Sequence, residues 1–262
     1  MDLLQAQLEA RQAKKPYALV TLVKAEGAAP RGAGSKMIVF ENGHSFGTVG
    51  GGTLEKKVLA DAVKCLRDGR GFLKDYENRA EEEGSPCIGV VTVFIEPEKG
   101  APHLVVCGAG HVGGAVIELA SKLGYYVTVI DTRDEELTAE HAKNADSFIV
   151  VEDFYSGLRS LDTGPKTFFL VLTYGHAEDA EALSAALEKD AAYIGMTGSR
   201  PKIESIFTKL KDKGFTDEQL AFIHTPVGLD IGGETPPEIA LSIMAEMQMT
   251  RYGRTGRESR ER

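Results

Sequence analysis

The chain has 262 residues, of which 42% are hydrophobic and 26% charged, and a formal net charge of −9. That length is long for a single core and points to two domains, with ample apolar material for both. The acidic balance argues against broad binding to nucleic acid or to anionic membrane surfaces.

Residues Met1–Lys15 lack the long apolar stretch of a signal peptide, and no run in the sequence approaches the ~18 apolar residues of a membrane span, so a cytoplasmic protein is expected. Leu3–Gln12 is predicted helical, and Tyr17–Lys24 (YALVTLVK) is predicted to be a strand rich in β-formers. A breaker-dense stretch, EGAAPRGAGS, follows, then the strand KMIVF, a turn at ENG and the segment HSFGTVGGG. The run TLEKKVLADAVKCLRDG carries apolar residues at helical spacing and stops at Gly69, a suitable C-cap. Val90–Ile95 is a further strand, and EPEKGAP is a linker. Residues 1–98 therefore form a smaller N-terminal α+β domain with a small mixed sheet.

Two glycine-rich loops are the most chemical feature of this domain. Ala28–Ser35 holds Arg31 among glycines, and Gly50, Gly51 and Gly52 run into a helix whose first turns carry Thr53 and Glu55. A triple glycine feeding a helix N-terminus suits an anion, with Arg31 as a charge partner. A pair of tight hairpin loops accounts for the same residues equally well.

Residues 103–131, HLVVCGAGHVGGAVIELASKLGYYVTVID, spell a complete dinucleotide-type βαβ unit. An apolar strand from His103 to Cys107 enters a GxGxxG turn, an amphipathic helix runs to Leu123, and a second strand, Tyr126–Ile130, ends in Asp131. Gly108 makes the tight turn, Gly110 lets backbone approach a phosphate, and Gly113 lets helix pack on strand. Asp131, about 20 residues further on, is placed to accept hydrogen bonds from a ribose or another vicinal diol. His111, inside the turn, faces any ligand held there. Residues 102–250 are thus a Rossmann-like doubly wound parallel sheet.

The strands Phe168–Leu172 and Ala192–Gly195 lead into TYGHAED and MTGSRPK, which a doubly wound sheet brings to the same edge as the GAGHVG turn. His176, Gly198, Ser199, Arg200 and Lys202 are expected there. Gly198 and Ser199 suit a phosphate with Arg200 forking onto its oxygens, or Ser199 simply caps a helix that begins at Pro201. His176 is a proton donor or a loop histidine bonded to backbone. Thr235 and Glu238 make a capping box with Pro236 in the first turn, and Met244, Met247 and Met249 belong to core or dimer surface. The tail, residues 251–262, has five arginines and little apolar content, and is read as unstructured. Cys65, Cys87 and Cys107 are too far apart for a CxxC zinc site, and no HExxH is present, so no metal site follows from spacing.

The blocks PRGAGSKMIV, GTVGGGTLE, CGAGHVG, VIDTR, YIGMTGSRPK and PVGLDIGGETPPEIALSIMAE, in that order and spacing, resemble the xanthine dehydrogenase accessory protein family of the XdhC/CoxI type. The resemblance runs over residues 17 to 250 and its last block is the most distinctive. It implies a chaperone that binds the molybdenum cofactor (molybdopterin), protects it during terminal sulfuration and delivers it to the apoenzyme of a molybdenum hydroxylase such as xanthine dehydrogenase. A cysteine desulfurase is implied as a further partner, and a homodimer as the assembly. Catalysis in the usual sense is not implied.

On this sequence the family's cofactor-associated stretches fall on Pro30, Arg31, Gly50, Gly51, Gly52 and Glu55, while VIDTR brings Arg133 beside Asp131. Members commonly show a cysteine followed by two glycines where this chain has Cys87, Ile88 and Gly89. That departure weighs against direct ligation by Cys87, although a thiolate is a soft ligand suited to molybdenum or to passing sulfur. Two other readings use the same residues. One is an NAD-dependent oxidoreductase, motivated by the GxGxxG unit and Asp131, though no Tyr/Lys or His/Asp hydride-transfer constellation accompanies them. The other is a nucleotide-sensing module that regulates a partner.

Overall fold

The computed structural model describes residues 2–27, 29–79 and 88–257. The chain divides into two compact units, Met1–Ala101 and Pro102–Arg262.

The first unit contains, in chain order, α1 (Leu3–Gln12), β1 (Tyr17–Gly27), β2 (Lys36–Phe40), β3 (Ser45–Gly47), α2 (Gly52–Asp68), β4 (Phe72–Arg79) and β5 (Ile88–Glu98). Its five strands lie in the order β3-β2-β1-β5-β4. Every pairing is antiparallel, which corrects the mixed sheet expected from the sequence. The reason is that α2 carries the chain from one edge of the sheet to the other without adding a parallel neighbour.

Strand alternation sorts the core of this unit. Ala18, Val20 and Leu22 of β1 face α2, where they meet Leu54, Val58, Ala62 and Cys65. Tyr17 and Leu19 face the other side and pack with Ala6 and Ala10 of α1. The Asp2 carboxylate caps α1 by accepting the Gln5 N–H at 2.8 Å, and Gly69 ends α2 in the left-handed region at φ +65°.

The second unit contains β6 (His103–Cys107), α3 (His111–Lys122), β7 (Tyr126–Asp131), α4 (Glu136–His141), β8 (Ser147–Val150), α5 (Phe154–Ser160), β9 (Thr167–Val171), α6 (His176–Leu187), β10 (Tyr193–Met196), α7 (Arg200–Asp212), α8 (Asp217–Ala221), β11 (Ile223–His224) and α9 (Pro236–Tyr252). The strands form one sheet in the order β11-β10-β9-β6-β7-β8, and every pairing is parallel. Both faces are covered, so the central strands read as continuous apolar runs. Leu104 and Val106 pack with Val116 and Ile117 of α3 and with Ile243 and Met247 of α9. Val105 and Cys107 point to the opposite face with Phe154, Leu183 and Ile206. Strand order reverses between β6 and β9, which makes the carboxyl ends of those strands the place where such sheets receive ligands.

The tail differs from its expectation at its start. Arg251 and Tyr252 belong to α9, which ends at Gly253 with φ +58°. The Arg251 guanidinium sits 5.2 Å from the Tyr125 ring centroid and 5.1 Å from that of Tyr252, so Arg251 is held against Tyr125 by a contact that composition does not reveal. Among the described residues no helix is long and apolar enough to cross a membrane.

Candidate functional site

In the first unit the functional candidates lie on two loops that touch. Gly50, Gly51 and Gly52 all have positive φ, +147°, +76° and +60°, a run that only glycines sustain without strain. The Pro30 ring lies on this run, since a Cβ on Gly50 would come 2.5 Å from Pro30 Cγ, whereas Gly51 and Gly52 face open space. Arg31, next in sequence to Pro30, is exposed and has no ion-pair partner among the described residues.

The nest formed by these glycines already holds an anion, the carboxylate of Glu55. Its Oε2 accepts the Gly51 N–H at 3.1 Å, the Val49 N–H at 3.3 Å and the Thr48 hydroxyl. Burial alone would raise the pKa of Glu55, but bonds from Thr48, Gly51, Val49 and Gly50 outweigh it and hold the carboxyl below the usual glutamate value. Glu55 therefore shapes the cradle from within. Thr48, which no motif singled out, closes the arrangement by accepting the Gly50 N–H at 3.1 Å. Cys87 lies outside the described residues.

In the second unit the glycines of the turn divide their work. Gly113 sits against the Gly108 carbonyl, and a Cβ on Gly108 would come 2.6 Å from the Leu172 carbonyl oxygen. Gly110 has nothing within 4 Å of where a Cβ would be, so the turn is open at the N-terminus of α3. His111 is exposed there, its ring centroid 5.2 Å from that of His141, whose Nδ1 donates to the Ala109 carbonyl at 2.9 Å.

Asp131 is turned inward, contrary to its expected role as a receiver of a diol. The residue is fully buried. Its Oδ2 accepts the Ala109 N–H at 2.7 Å and an Arg133 guanidinium N–H at 2.9 Å, while Oδ1 accepts the Arg133 backbone N–H at 3.0 Å and Arg133 Nε–H at 2.9 Å. Burial raises its pKa, and these donors, Arg133 first, bring it down below the usual aspartate value. Arg133 in turn stacks 4.9 Å from the ring centroid of Tyr174, an exposed aromatic that sequence reasoning passed over.

The loops after β9 and β10 do reach the same edge, as the hydrogen bonds Leu172 N–H to Cys107 O at 2.8 Å and Thr197 N–H to Val171 O at 3.3 Å require. His176, Ser199 and Arg200 are exposed on it, and Gly198 is half-buried. Ser199 occupies the N-cap position of α7 but makes no side-chain cap bond, and α7 starts at Arg200, one residue before Pro201. Lys202 turns away from solvent to pair with the buried Asp179, which also accepts the Thr173 hydroxyl at 2.6 Å. Burial lifts the Asp179 pKa despite those partners. Among the described residues no group of three or more His, Cys, Asp or Glu side chains is arranged to hold a metal ion.

The chain thus joins, in sequence, a doubly wound domain with an open GxGxxG turn to a small antiparallel domain that carries a second glycine nest. Residues 104–247 match the XdhC Rossmann domain and residues 10–77 match the XdhC and CoxI family. The chain belongs to the XdhC and CoxI family.

Relatives extend the match over both units. YqeB of Escherichia coli K12 is 34% identical over 244 residues, covering 92% of this chain but 44% of YqeB, so the chain spans less than half of that relative. The molybdenum cofactor insertion chaperone PaoD of the same organism is 25% identical over 284 residues, with 95% of this chain and 88% of PaoD covered. A Bacillus subtilis 168 protein named as a probable component of xanthine dehydrogenase is 23% identical, covering 89% of this chain and 92% of that protein. A solved structure described as a xanthine dehydrogenase from Bacillus halodurans superposes with TM-score 0.53 over 99% of this chain and 98% of its own, at 22% identity, a likeness of fold.

Proposed function

We propose that this protein binds the molybdenum cofactor and delivers it to the apoenzyme of a molybdenum hydroxylase of the xanthine dehydrogenase kind. The observation that carries the reading is the end-to-end match to PaoD, a protein named as a molybdenum cofactor insertion chaperone, within a family that spans both units of this chain. When bound, the cofactor brings its own molybdenum, and the chain contributes the holding groups.

The residues present suit that cargo. The open face at Gly51 and Gly52 lets backbone approach a bulky pterin, and the exposed Arg31 guanidinium is a forked donor for its phosphate. Glu55 keeps the nest in shape through Thr48, Val49 and Gly51. A homodimer in the cytoplasm, with a cysteine desulfurase acting on the bound cofactor, completes the proposal. The alternative of an NAD-dependent oxidoreductase keeps the GxGxxG turn but not a free carboxylate for the ribose, since Asp131 is engaged by Arg133 and Ala109.

The test replaces Arg31 by Ala and Gly51 by Val, purifies each variant without oxygen from a cofactor-competent host, and assays fluorescent oxidised pterin per chain. Both substitutions are expected to reduce retained pterin at least about tenfold, roughly 1.4 kcal/mol of binding, while the second unit stays folded. Variants that retain as much pterin as the parent would show that the cargo sits elsewhere.

A further inference from the structure

Rossmann domains that take a nucleotide with a free ribose use the carboxylate at the end of the second strand to accept both hydroxyls. Here that carboxylate is already engaged. Asp131 has no exposed surface, and both of its oxygens accept protein N–H groups. What stands at the rim in its place is the guanidinium of Arg133, with 28% of its side chain exposed.

Arg133 is held in a defined plane. Two guanidinium donors point into Asp131, and the Tyr174 ring backs the group at 4.9 Å. An arginine has five side-chain N–H donors, so five minus these two leaves three to meet a ligand. Such a fork, already fixed by an ion pair and a stack, loses little freedom on binding an anion. Gly110, at the turn to which Ala109 ties Asp131, leaves open space for a second phosphate. The Asp131 oxygens are taken up by protein donors, and a phosphomonoester finds in Arg133 a fixed cation, on which the Glu135 carboxylate also acts.

We propose that Arg133 makes the Rossmann crevice selective for a nucleotide carrying a phosphomonoester on its ribose, over the same nucleotide with a free diol, and that Asp131 serves as the positioning group that aims Arg133. The inference concerns the second unit alone and does not depend on where the pterin is held. A 2′-phosphorylated dinucleotide is the ligand class that presents a monoester and a pyrophosphate together.

The experiment is an equilibrium titration of the purified full-length chain with NADPH and with NADH, read by the fluorescence of the dihydronicotinamide. NADPH is expected to bind at least about tenfold more tightly than NADH. The R133A variant should lose that preference, since the uncovered Asp131 carboxylate accepts a diol and repels a phosphate, and R133K should keep part of it as a point charge without the fork. Equal affinities in the parent chain, tighter NADH binding, or no saturable NADPH binding up to millimolar each overturn the proposal. The parent ratio decides it even if R133A does not fold. Pterin retention is scored separately, so failure here leaves the cargo assignment standing, and the reverse holds as well.

Discussion

The ring of Pro30 lies on the backbone of Gly50, so close that a Cβ there would come 2.5 Å from Pro30 Cγ. This contact ties the loop that carries Arg31 to the loop that carries the glycine nest, within one unit of the chain. The Gly50 φ of +147° adds a conformational demand that a side chain resists. Gly50→Ala is therefore expected to destabilise the first unit by about 1–3 kcal/mol and to displace the Arg31 loop. Thermal unfolding reads the first effect and pterin retention the second. A variant with parent stability and full retention would mean that the contact is not tight in solution.

Glu55 gives this unit a pH signature. Its carboxyl is held below the ordinary value of 4.5 by the donors of the nest, so the stability it contributes is fully present above that value and lost as pH falls through the lower folded-state value. Glu55→Gln should cost about 1–2 kcal/mol at neutral pH, because three donors lose a charged acceptor. The cost should shrink as acid is added. Denaturant melts of both forms at several pH values check this, and a cost that does not change with pH would contradict it.

Beneath the crevice of the second unit, the Lys202–Asp179 pair is almost wholly removed from water. Lys202→Ala strands a buried carboxylate and should destabilise by roughly 3 kcal/mol, whereas Lys202→Met with Asp179→Asn together should cost less than the two single changes added. Burial lifts the Asp179 pKa above that of a free aspartate even beside Lys202, so the stability this group contributes is fully present below the unfolded value and lost as pH rises through the folded one. The Lys202→Ala variant should accordingly suffer less at about pH 5 than at about pH 7. A double-mutant cycle at both pH values is the check.

The glycines of the Rossmann turn should separate packing from binding. Gly113 touches the Gly108 carbonyl, so Gly113→Ala must push helix from strand and cost about 1–3 kcal/mol. Gly110 has ordinary φ of −74° and open space around it, so Gly110→Ala should change stability by less than about 1 kcal/mol while filling the phosphate cradle. Melting temperatures that fall equally for both would contradict this division.

Local signals carried much of the fold. The bounds of α1, the Gly69 cap of α2 and the strand–turn–helix order of β6 and α3 follow from periodicity and glycine placement. β4 did not announce itself, because FLKDYENR is an edge strand in which Tyr76 is the buried anchor, bonded at 2.7 Å to Asp61 of α2. The antiparallel sense of the first sheet was equally hidden, since pairing direction depends on partners far along the chain. Site residues were legible as positions but not as partners. Nothing in the letters says that Glu55 folds onto its own nest, or that Arg133 covers Asp131, because those outcomes are set by rotamers and burial in the assembled unit. Tyr174 was missed for the same reason, its role arising from Arg133 across the sheet edge.

The most direct test of the cargo assignment is the molar ratio of pterin to protein after expression in a cofactor-competent host, anaerobic purification and oxidation of the acid-released ligand to its fluorescent form. A ratio near one pterin per chain is predicted; a chain that emerges from such a host with no pterin would contradict the carrier role.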